Sequence, residues 1–412
     1  MNRCFSLALV LSGWAAGALW SQESLRALAA TRQVYIGAAV GAAFWGGDSR
    51  YQETLRTEFN LLVAENAMKF QSLEPKRNEF TWTQADELAA FASQNGMAMR
   101  GHTLVWHQQS GWIATAGLSR TEMLAALENH ISKVMGRYRG KIVEWDVVNE
   151  AIDDTTGGLR ESFWQKTIGD DYLDSAFTYA HRADPGALLF YNDYSGEGMG
   201  GKSDKIYALV KGMMDRKIPI HGVGLQCHFV NAGWNMSKDI DANMKRLASL
   251  GLRVSVTELD FRITLPADSA KLAKQKSNYE TLLGICLANP NCKTFLTWGF
   301  SDAFSWVPAF FPGMGAALIF DAQYGMKPAY HGLQSAFALV SGLSPLPPLS
   351  PRLEKGRRAS RGPSPLPQSV RNHVRNLWPV AVFAEPGDGN ACDARGRGLR
   401  TSGRASMPSA GF

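Results

Sequence analysis

Short apolar segments alternate along this chain with stretches of helical periodicity, and this alternation limits the fold more than any other feature. The apolar segments are rich in β-branched and aromatic residues, which favour strands, and they lie near 32–37, 59–64, 98–105, 142–148, 188–191, 222–227, 252–256 and 294–298. Between them apolar residues recur on one helical face, for example over 237–250 and 268–287. Eight strands that alternate with helices predict an α/β fold of the (β/α)8 TIM barrel type.

A doubly wound open sheet is the main alternative to a barrel. That fold places a glycine-rich turn, spaced GxGxxG, between its first strand and its first helix. The glycines that follow the first predicted strand here are Gly41, Gly46 and Gly47, and together with Gly37 they do not have this spacing. The barrel is therefore the preferred prediction.

The two ends of the chain differ in composition from its middle. Positions 4–22 carry no charge, follow Arg3 and contain the small-residue pattern Ala16-Gly17-Ala18. This predicts a secretory signal peptide over 1–22, with an uncleaved membrane anchor or a buried helix as the alternatives. Residues 345–412 form a Pro/Arg-rich segment without apolar periodicity, and we expect this tail to be disordered. The folded domain is then expected over 23–344.

The net charge of +6 comes from the tail, which alone carries eleven Lys or Arg against four Asp or Glu. Residues 1–344 are therefore close to neutral, and the composition gives no indication of nucleic-acid binding. No second long apolar run follows the leader, so we expect no stable membrane insertion after its cleavage.

Two of the five cysteines flank a short, turn-like segment. Cys286 and Cys292 are separated by Leu-Ala-Asn-Pro-Asn, and export of the chain would favour a disulfide between them. A pair of free thiols is the alternative. Cys227 lies inside an apolar strand and is expected to be a core residue.

Polar and aromatic side chains follow the predicted strands at their carboxyl ends, where barrels of this type place their chemistry. The fourth strand ends in Asn149 and Glu150, and the seventh continues into Glu258 and Asp260. The remaining candidates at strand ends are Glu65, Asn66, Lys69, His102, Trp106, Gln109, Tyr194, Gln226, His228, Trp298 and Trp306. Any one of them has an ordinary structural explanation, such as a satisfied core histidine or a packed tryptophan. Their common position at seven strand ends indicates one shared site.

Glu150 and Glu258 are the minimum that glycoside hydrolysis requires, because one carboxyl must donate a proton and the other must attack the anomeric carbon. We expect Glu258 to be the ionised one, since Asp260 and His228 give it a polar setting. We expect Glu150 to keep its proton, since it follows an apolar strand beside Trp145. Tryptophans offer flat faces for sugar rings, and hydrogen bonds to hydroxyl groups are expected from Asn66, Lys69, Gln109 and Asn149.

A metal centre would be a different class of site, and the sequence does not favour one. His102 and His107 are five positions apart on a predicted strand, so their side chains point to opposite faces and cannot share an ion. His228 has no close ligand partner in the sequence. We expect neither a metal nor a cofactor.

Three motifs, Gly101-His-Thr-Leu-Val-Trp-His107, Trp145-Asp-Val-Val-Asn-Glu150 and Val256-Thr-Glu-Leu-Asp260, resemble those of glycoside hydrolase family ten, the endo-β-1,4-xylanases. The similarity implies that Glu150 is the acid/base, that Glu258 is the nucleophile and that Asn149 holds the sugar 2-hydroxyl. It also implies that His228, supported by Asp260, bridges toward the nucleophile. Residues that the resemblance places on the non-reducing side of the cleft are Glu65, Asn66, Lys69, His102, Trp106, Gln109, Gln226, Trp298 and Trp306. A bridge like Cys286–Cys292 occurs in part of the family.

The resemblance therefore implies a secreted (extracellular or periplasmic), retaining endo-xylanase that acts on xylan and xylo-oligosaccharides, and we expect a monomer. One alternative is a related barrel β-1,4-glycanase that prefers cellulose or mannan. The other is a xylan-binding protein that has lost catalysis, although both carboxylates, Asn149 and His228 are present. Two segments depart from the family pattern: the tail after Ser344, and positions 307–315, which are more apolar than expected.

Overall fold

The computed structural model describes residues 23–339, and the predicted signal peptide and tail lie outside them. Eight parallel strands form the centre of this part of the chain. In chain order they are Tyr35–Val40, Leu61–Ala64, Ala98–Val105, Glu144–Asn149, Leu188–Asp193, Gly222–Leu225, Arg253–Thr264 and Cys292–Thr297. They are called the first to the eighth strand below.

The sheet closes on itself. Each strand pairs in parallel with the next one along the chain, and the eighth also pairs with the first, where Tyr35 lies opposite Thr294. A closed ring of eight parallel strands with intervening helices is a (β/α)8 TIM barrel, so the predicted fold class is confirmed. Two short strands, His228–Val230 and Met314–Gly315, add to the far end of the seventh strand.

Helices connect successive strands and cover the outside of the barrel. The α-helices are Leu25–Arg32, Ser49–Glu58, Phe70–Leu73, Thr83–Gln94, Arg120–Arg137, Phe163–Ile168, Tyr172–Ala183, Gly201–Asp215, Ser237–Ser249, Ser269–Ala288, Val307–Phe310 and Pro328–Leu339. Shorter 3-10 turns lie at Ala42–Trp45, Gly111–Ala114 and Asp302–Phe304. Local signals fix several helix starts: Ser119 and Glu122 form a reciprocal capping box, and Asp268 accepts a hydrogen bond from the backbone N–H of Lys271.

The seventh strand is longer than the apolar pattern predicted. The predicted strand ends at position 256, whereas the observed one continues through Glu258 and Asp260 to Thr264. The extension is possible because His228 pairs opposite Asp260 and Met314 pairs opposite Thr264 after the barrel itself has ended. Both acidic side chains therefore belong to a strand, not to a loop.

Apolar side chains pack on both sides of the barrel wall. The larger core lies between the strands and the helices, and a smaller cluster inside the barrel is made of Ala39, Leu61, Val63, Leu296 and Trp298. This alternation follows from the two-residue repeat of a strand, which sends successive side chains to opposite faces. Among residues 23–339, no helix has both the length and the apolar character needed to cross a membrane.

Candidate active site

Glu150 occupies a turn directly after the fourth strand. Its φ is +57°, in the left-handed region that residues other than glycine seldom adopt. The turn is fixed by backbone hydrogen bonds, since the Glu150 N–H donates to the carbonyl oxygen of Asn192 at 2.9 Å. A non-glycine residue held in this region is a common feature of functional sites.

Glu150 is 7% exposed, and its carboxyl accepts two hydrogen bonds. The Trp106 indole donates to its Oε2 at 2.7 Å, and the Gln226 amide donates to its Oε1 at 3.0 Å. Burial raises the pKa of Glu150 above its ordinary value, although both hydrogen bonds oppose this, and the charge of Glu258 raises it further. The direction is the one predicted, but the aromatic neighbour is Trp106, because Trp145 packs against Gly101 elsewhere.

The Glu258 carboxyl is equally buried, but its partners favour the ionised form. Asn192 donates to its Oε1 at 2.8 Å, and His228 Nε2 lies 3.3 Å from its Oε2. Burial alone would raise the pKa of Glu258, but the hydrogen bond from His228 and the charges of His102 and His228 outweigh it, so the pKa lies below its ordinary value. The direction agrees with the prediction.

His228 is held between two carboxylates. Its Nδ1 lies 2.8 Å from Asp260 Oδ2, while its Nε2 faces Glu258. Burial opposes its protonation, but the charge of Asp260 and the hydrogen bonds to Asp260 and Glu258 raise the pKa of His228 to about 10. The ring therefore carries a proton on each nitrogen at neutral pH and donates to Glu258.

A chain of amide side chains joins the two carboxylates. Asn192 donates from the same nitrogen to Glu258 and, at 2.8 Å, to Asn149 Oδ1. Gln226 donates to Glu150 and, at 3.4 Å, to the same Asn149 oxygen. Glu150 and Glu258 therefore face one space at the carboxyl ends of the strands.

A lysine lies on the side of this space formed by the second strand. Lys69 is 6% exposed, donates to Asn66 Oδ1 at 2.9 Å and places its ammonium 4.9 Å from the centre of the Trp106 ring. Burial lowers the pKa of Lys69, and the charges of Glu258, Glu65 and Glu150 oppose this. Burial also raises the pKa of Glu65, which accepts a weak hydrogen bond from Asn66 at 3.4 Å.

Two tryptophans and His102 lie near Glu258 and Asp260. The Trp298 ring packs edge-on against His102, with centroids 5.2 Å apart, and Trp306 donates to Asp260 Oδ2 at 2.9 Å. His102 Nδ1 lies 3.1 Å from Asp146 and 4.0 Å from Glu258. Beside Trp306, the apolar segment 307–315 exposes two-thirds of Phe310.

The structure does not bring every predicted residue to the carboxylates. Gln109 is exposed, with φ +46°, and its backbone carbonyl oxygen accepts a hydrogen bond from the Gln71 N–H at 2.9 Å. The Tyr194 hydroxyl contacts Asp154 and Arg160 in the loop that follows Glu150, and the Lys202 ammonium lies 3.5 Å from its ring centre. These contacts help to hold that loop in place. They do not test the prediction that Tyr194 binds substrate.

Asn192 stands at the end of the fifth strand, but sequence reasoning gave it no role in the site. Asn192 contacts both Asn149 and Glu258, and its Oδ1 accepts a hydrogen bond from the Thr257 hydroxyl at 2.7 Å. The available signal was an amide at the carboxyl end of a buried strand, the same signal that selected Asn149.

Two further predictions concern cysteines and metals. Cys286, in the helix Ser269–Ala288, forms a disulfide with Cys292, the first residue of the eighth strand, and Cys227 is buried as a free thiol. Within the described part of the chain, no three His, Cys, Asp or Glu side chains are arranged to hold a metal ion.

A barrel whose mouth holds one carboxyl of raised pKa and one of lowered pKa has the features of a glycoside hydrolase. The family model described as glycosyl hydrolase family 10 matches residues 24–336, and the chain belongs to that family.

Curated and solved relatives agree with this assignment. The chain is 39% identical over 333 residues to endo-1,4-beta-xylanase B of Thermotoga neapolitana, a match that covers 80% of this chain and 96% of that protein. Native xylanase 10B from Thermotoga maritima superposes with a TM-score of 0.75 at 41% identity, covering 77% of this chain and 98% of the other. Xylanase 10B from Thermotoga petrophila RKU-1, solved in complex with xylobiose, gives the same TM-score and identity, with 77% and 97% covered.

Proposed function

We propose that this protein hydrolyses internal β-1,4-xylosidic bonds of xylan by a retaining double displacement, with Glu258 as nucleophile and Glu150 as acid/base. The observation that carries this proposal is the difference between the two carboxyls. They share one space and one chain of amides, yet the pKa of Glu150 is raised and that of Glu258 is lowered. A retaining enzyme needs this difference before the substrate arrives.

In the first step, a Glu258 oxygen attacks the anomeric carbon while the bond from that carbon to the leaving oxygen breaks. Glu150 transfers its proton to the leaving oxygen, so the departing sugar ends in a neutral hydroxyl group. The product is a glycosyl ester on Glu258, and Glu150 is now ionised. His228 supports this step because its donated hydrogen bond keeps Glu258 ionised until attack.

In the second step, ionised Glu150 takes a proton from water, and the water oxygen attacks the anomeric carbon. The ester bond breaks, Glu258 returns to its carboxylate form and Glu150 recovers its proton. Two inversions at one carbon give retention of the β configuration. The same residue acts as acid and then as base because its own ionisation state changes between the steps.

The neighbouring side chains are suited to hold the sugar. Lys69 and Asn149 present polar groups beside the carboxylates, and Trp298 offers a flat apolar face of the kind on which pyranose rings stack. We assign Glu65, Asn66, Lys69, Trp298 and Trp306 to substrate binding on this basis.

Xylan is preferred over cellulose and mannan because the relatives reported above are named xylanases and one of them was solved with xylobiose. Reducing-sugar release from the three polysaccharides at equal enzyme concentration tests this choice. Equal or greater release from cellulose or mannan would contradict it. Xylan binding without any release would support the catalytically silent alternative, which the complete set of carboxylates and partners argues against.

We further propose that the protein is exported and acts as a monomer outside the cytoplasm. The disulfide between Cys286 and Cys292 supports export, because such bonds persist in oxidising compartments. Mass spectrometry of the mature N-terminus, together with sedimentation of the purified protein, tests both statements.

The stereochemical outcome tests the mechanism. Proton NMR of a xylo-oligosaccharide hydrolysate should show the β-anomer first, followed by slow mutarotation. An initial burst of the α-anomer would contradict a double displacement.

A further inference from the structure

The backbone at Glu150 needs external support. Its left-handed φ of +57° is unfavourable for a residue with a side chain, and the residue lies at the end of a strand, where regular pairing stops. Whatever holds the residues on each side of Glu150 also determines where its carboxyl points. On the N-terminal side that support is Asn149 in the fourth strand, and the following peptide groups need partners of their own.

Tyr191 supplies those partners. Its hydroxyl accepts hydrogen bonds from the backbone N–H groups of Ala151 at 3.0 Å and Ile152 at 3.1 Å, the two residues after Glu150. The same hydroxyl donates its proton to the carboxylate of Asp193. A phenol has one proton and two acceptor positions, so all of its capacity is used here. Tyr191 is completely buried.

Asp193 connects this hydroxyl to a second attachment point. Besides Tyr191, its carboxylate accepts the backbone N–H of Tyr194 at 2.9 Å and lies 3.0 Å from the Lys202 ammonium. Lys202 also donates to Asp154 Oδ1 at 2.7 Å, and Asp154 belongs to the loop that follows Glu150. The loop is therefore held at residues 151 and 152 through Tyr191 and at residue 154 through Lys202, with the buried Asp193 between them.

We propose that Tyr191, Asp193 and Lys202 form a positioning relay that holds the Glu150 carboxyl where it protonates the leaving oxygen. The proposal rests on the assignment of Glu150 as acid/base made above. None of the three residues needs to touch substrate, and they act through the loop of residues 150–154: Tyr191 through the backbone and Lys202 through the Asp154 side chain. Burial raises the pKa of Tyr191 well above its ordinary value, so the phenol remains a donor to Asp193 at working pH.

The relay has a specific kinetic consequence. Loss of the relay should weaken proton donation by Glu150 and leave attack by Glu258 unchanged, because the partners of Glu258 are Asn192 and His228. A substrate whose leaving group departs as a stable anion does not need the proton, whereas an unactivated leaving group does. The two kinds of substrate therefore separate a positioning role from general structural damage.

The test compares Tyr191→Phe with the wild-type protein on dinitrophenyl and unsubstituted phenyl β-xylobiosides. The ratio of the two kcat/KM values reports how strongly the first step depends on the proton. We expect Tyr191→Phe to lose about 10- to 100-fold in kcat/KM on the phenyl substrate and less than about threefold on the dinitrophenyl substrate. Equal losses on both substrates, or no loss on either, would overturn the proposal.

Tyr330→Phe is the matched control. The Tyr330 hydroxyl is also buried, donates to the Glu58 carboxylate at 2.8 Å, and Glu58 in turn accepts the backbone N–H of Leu25 at 3.0 Å. Tyr330→Phe thus removes the same kind of hydrogen-bond chain, but away from Glu150 and Glu258. The ratio of the kcat/KM values on the two xylobiosides should therefore stay at the wild-type value. A changed ratio in Tyr330→Phe would also count against the relay.

Asp193→Asn provides a second variant in case Tyr191→Phe does not fold. It keeps the shape of the side chain and an acceptor for Tyr191 but removes the charge that holds Lys202, so the ratio should change in the same direction. An unchanged ratio in folded Asp193→Asn would overturn the relay. Failure of the wild-type protein to cleave either xylobioside would instead contradict the proposed function and is recognised before any variant is measured.

Discussion

The barrel encloses two groups of buried carboxylates, and they differ in the groups that face them. Deeper in the barrel, Glu144 and Asp146 surround the guanidinium of Arg100, which donates to both. At the mouth, Glu150 and Glu258 receive hydrogen bonds from amide, indole and imidazole groups. The deeper group is neutralised by the Arg100 guanidinium, whereas at the mouth the hydrogen-bond donors to Glu150 are neutral.

One barrel interior therefore holds both a buried ion-pair group and a pair of carboxyls suited to catalysis. For Asp146, burial would raise the pKa, but the charge of Arg100 and its hydrogen bonds outweigh burial and lower it. For Glu150, burial outweighs two hydrogen bonds from neutral donors, so its pKa is raised. A buried carboxyl becomes a proton donor here because no full positive charge is paired with it.

The largest expected effect is on catalysis at the mouth. Glu258→Ala removes the attacking oxygen and should reduce kcat on xylan by at least about 10⁴-fold, roughly 5.5 kcal/mol in barrier. Initial rates of reducing-sugar release measure this loss, and circular dichroism verifies that the variant is folded. If a folded Glu258→Ala protein kept activity within tenfold of wild type, Glu258 would not be the nucleophile. The chemical role given to the carboxylates at the mouth would then be contradicted.

The next effect is on stability in the deeper group. Arg100→Met leaves Glu144 and Asp146 buried without their cation and should lower the free energy of unfolding by about 3–5 kcal/mol. Urea denaturation measures the change. The control is Arg120→Met, because Arg120 makes a solvent-exposed bidentate pair with Asp171, and the loss of such a pair should change the free energy of unfolding far less. Equal costs for the two variants would show that the deeper ion pair does not stabilise the barrel.

The smallest effect is on the pH profile. His228→Gln replaces a charged hydrogen-bond donor with a neutral amide, so the pKa of Glu258, which His228 lowers, should rise. Because the nucleophile must be ionised, the acid limb of kcat/KM should move to higher pH. The alkaline limb, which follows deprotonation of Glu150, should stay in place. An acid limb that stays fixed or moves to lower pH would contradict the role given to His228.

Much of the fold and the site follows from local patterns in the sequence. Strand and helix alternation predicted the barrel, and polar residues at strand ends predicted that Glu150, Glu258 and His228 meet. These predictions succeed because parallel strands bring their carboxyl ends to one rim whatever the loops do.

The remaining features depend on contacts between strands that no local pattern records. Arg100 pairs with side chains 44 and 46 positions away, and Asn192 contacts Glu258 across 66 positions. The strand around Glu258 extends because of distant short strands, and Trp145 turns away from Glu150 because alternate side chains face opposite sides of the sheet. Such assignments need the register between strands, which the apolar pattern does not determine.

The central claim is that environment assigns attack to Glu258 and proton transfer to Glu150. A xylobioside with fluorine at carbon 2 and an activated leaving group tests it, because the fluorine slows both steps while the leaving group allows the ester to accumulate. Peptide mapping by mass spectrometry should then find the sugar attached to Glu258. A label on Glu150, or rapid turnover with no covalent intermediate under the same conditions, would contradict the account.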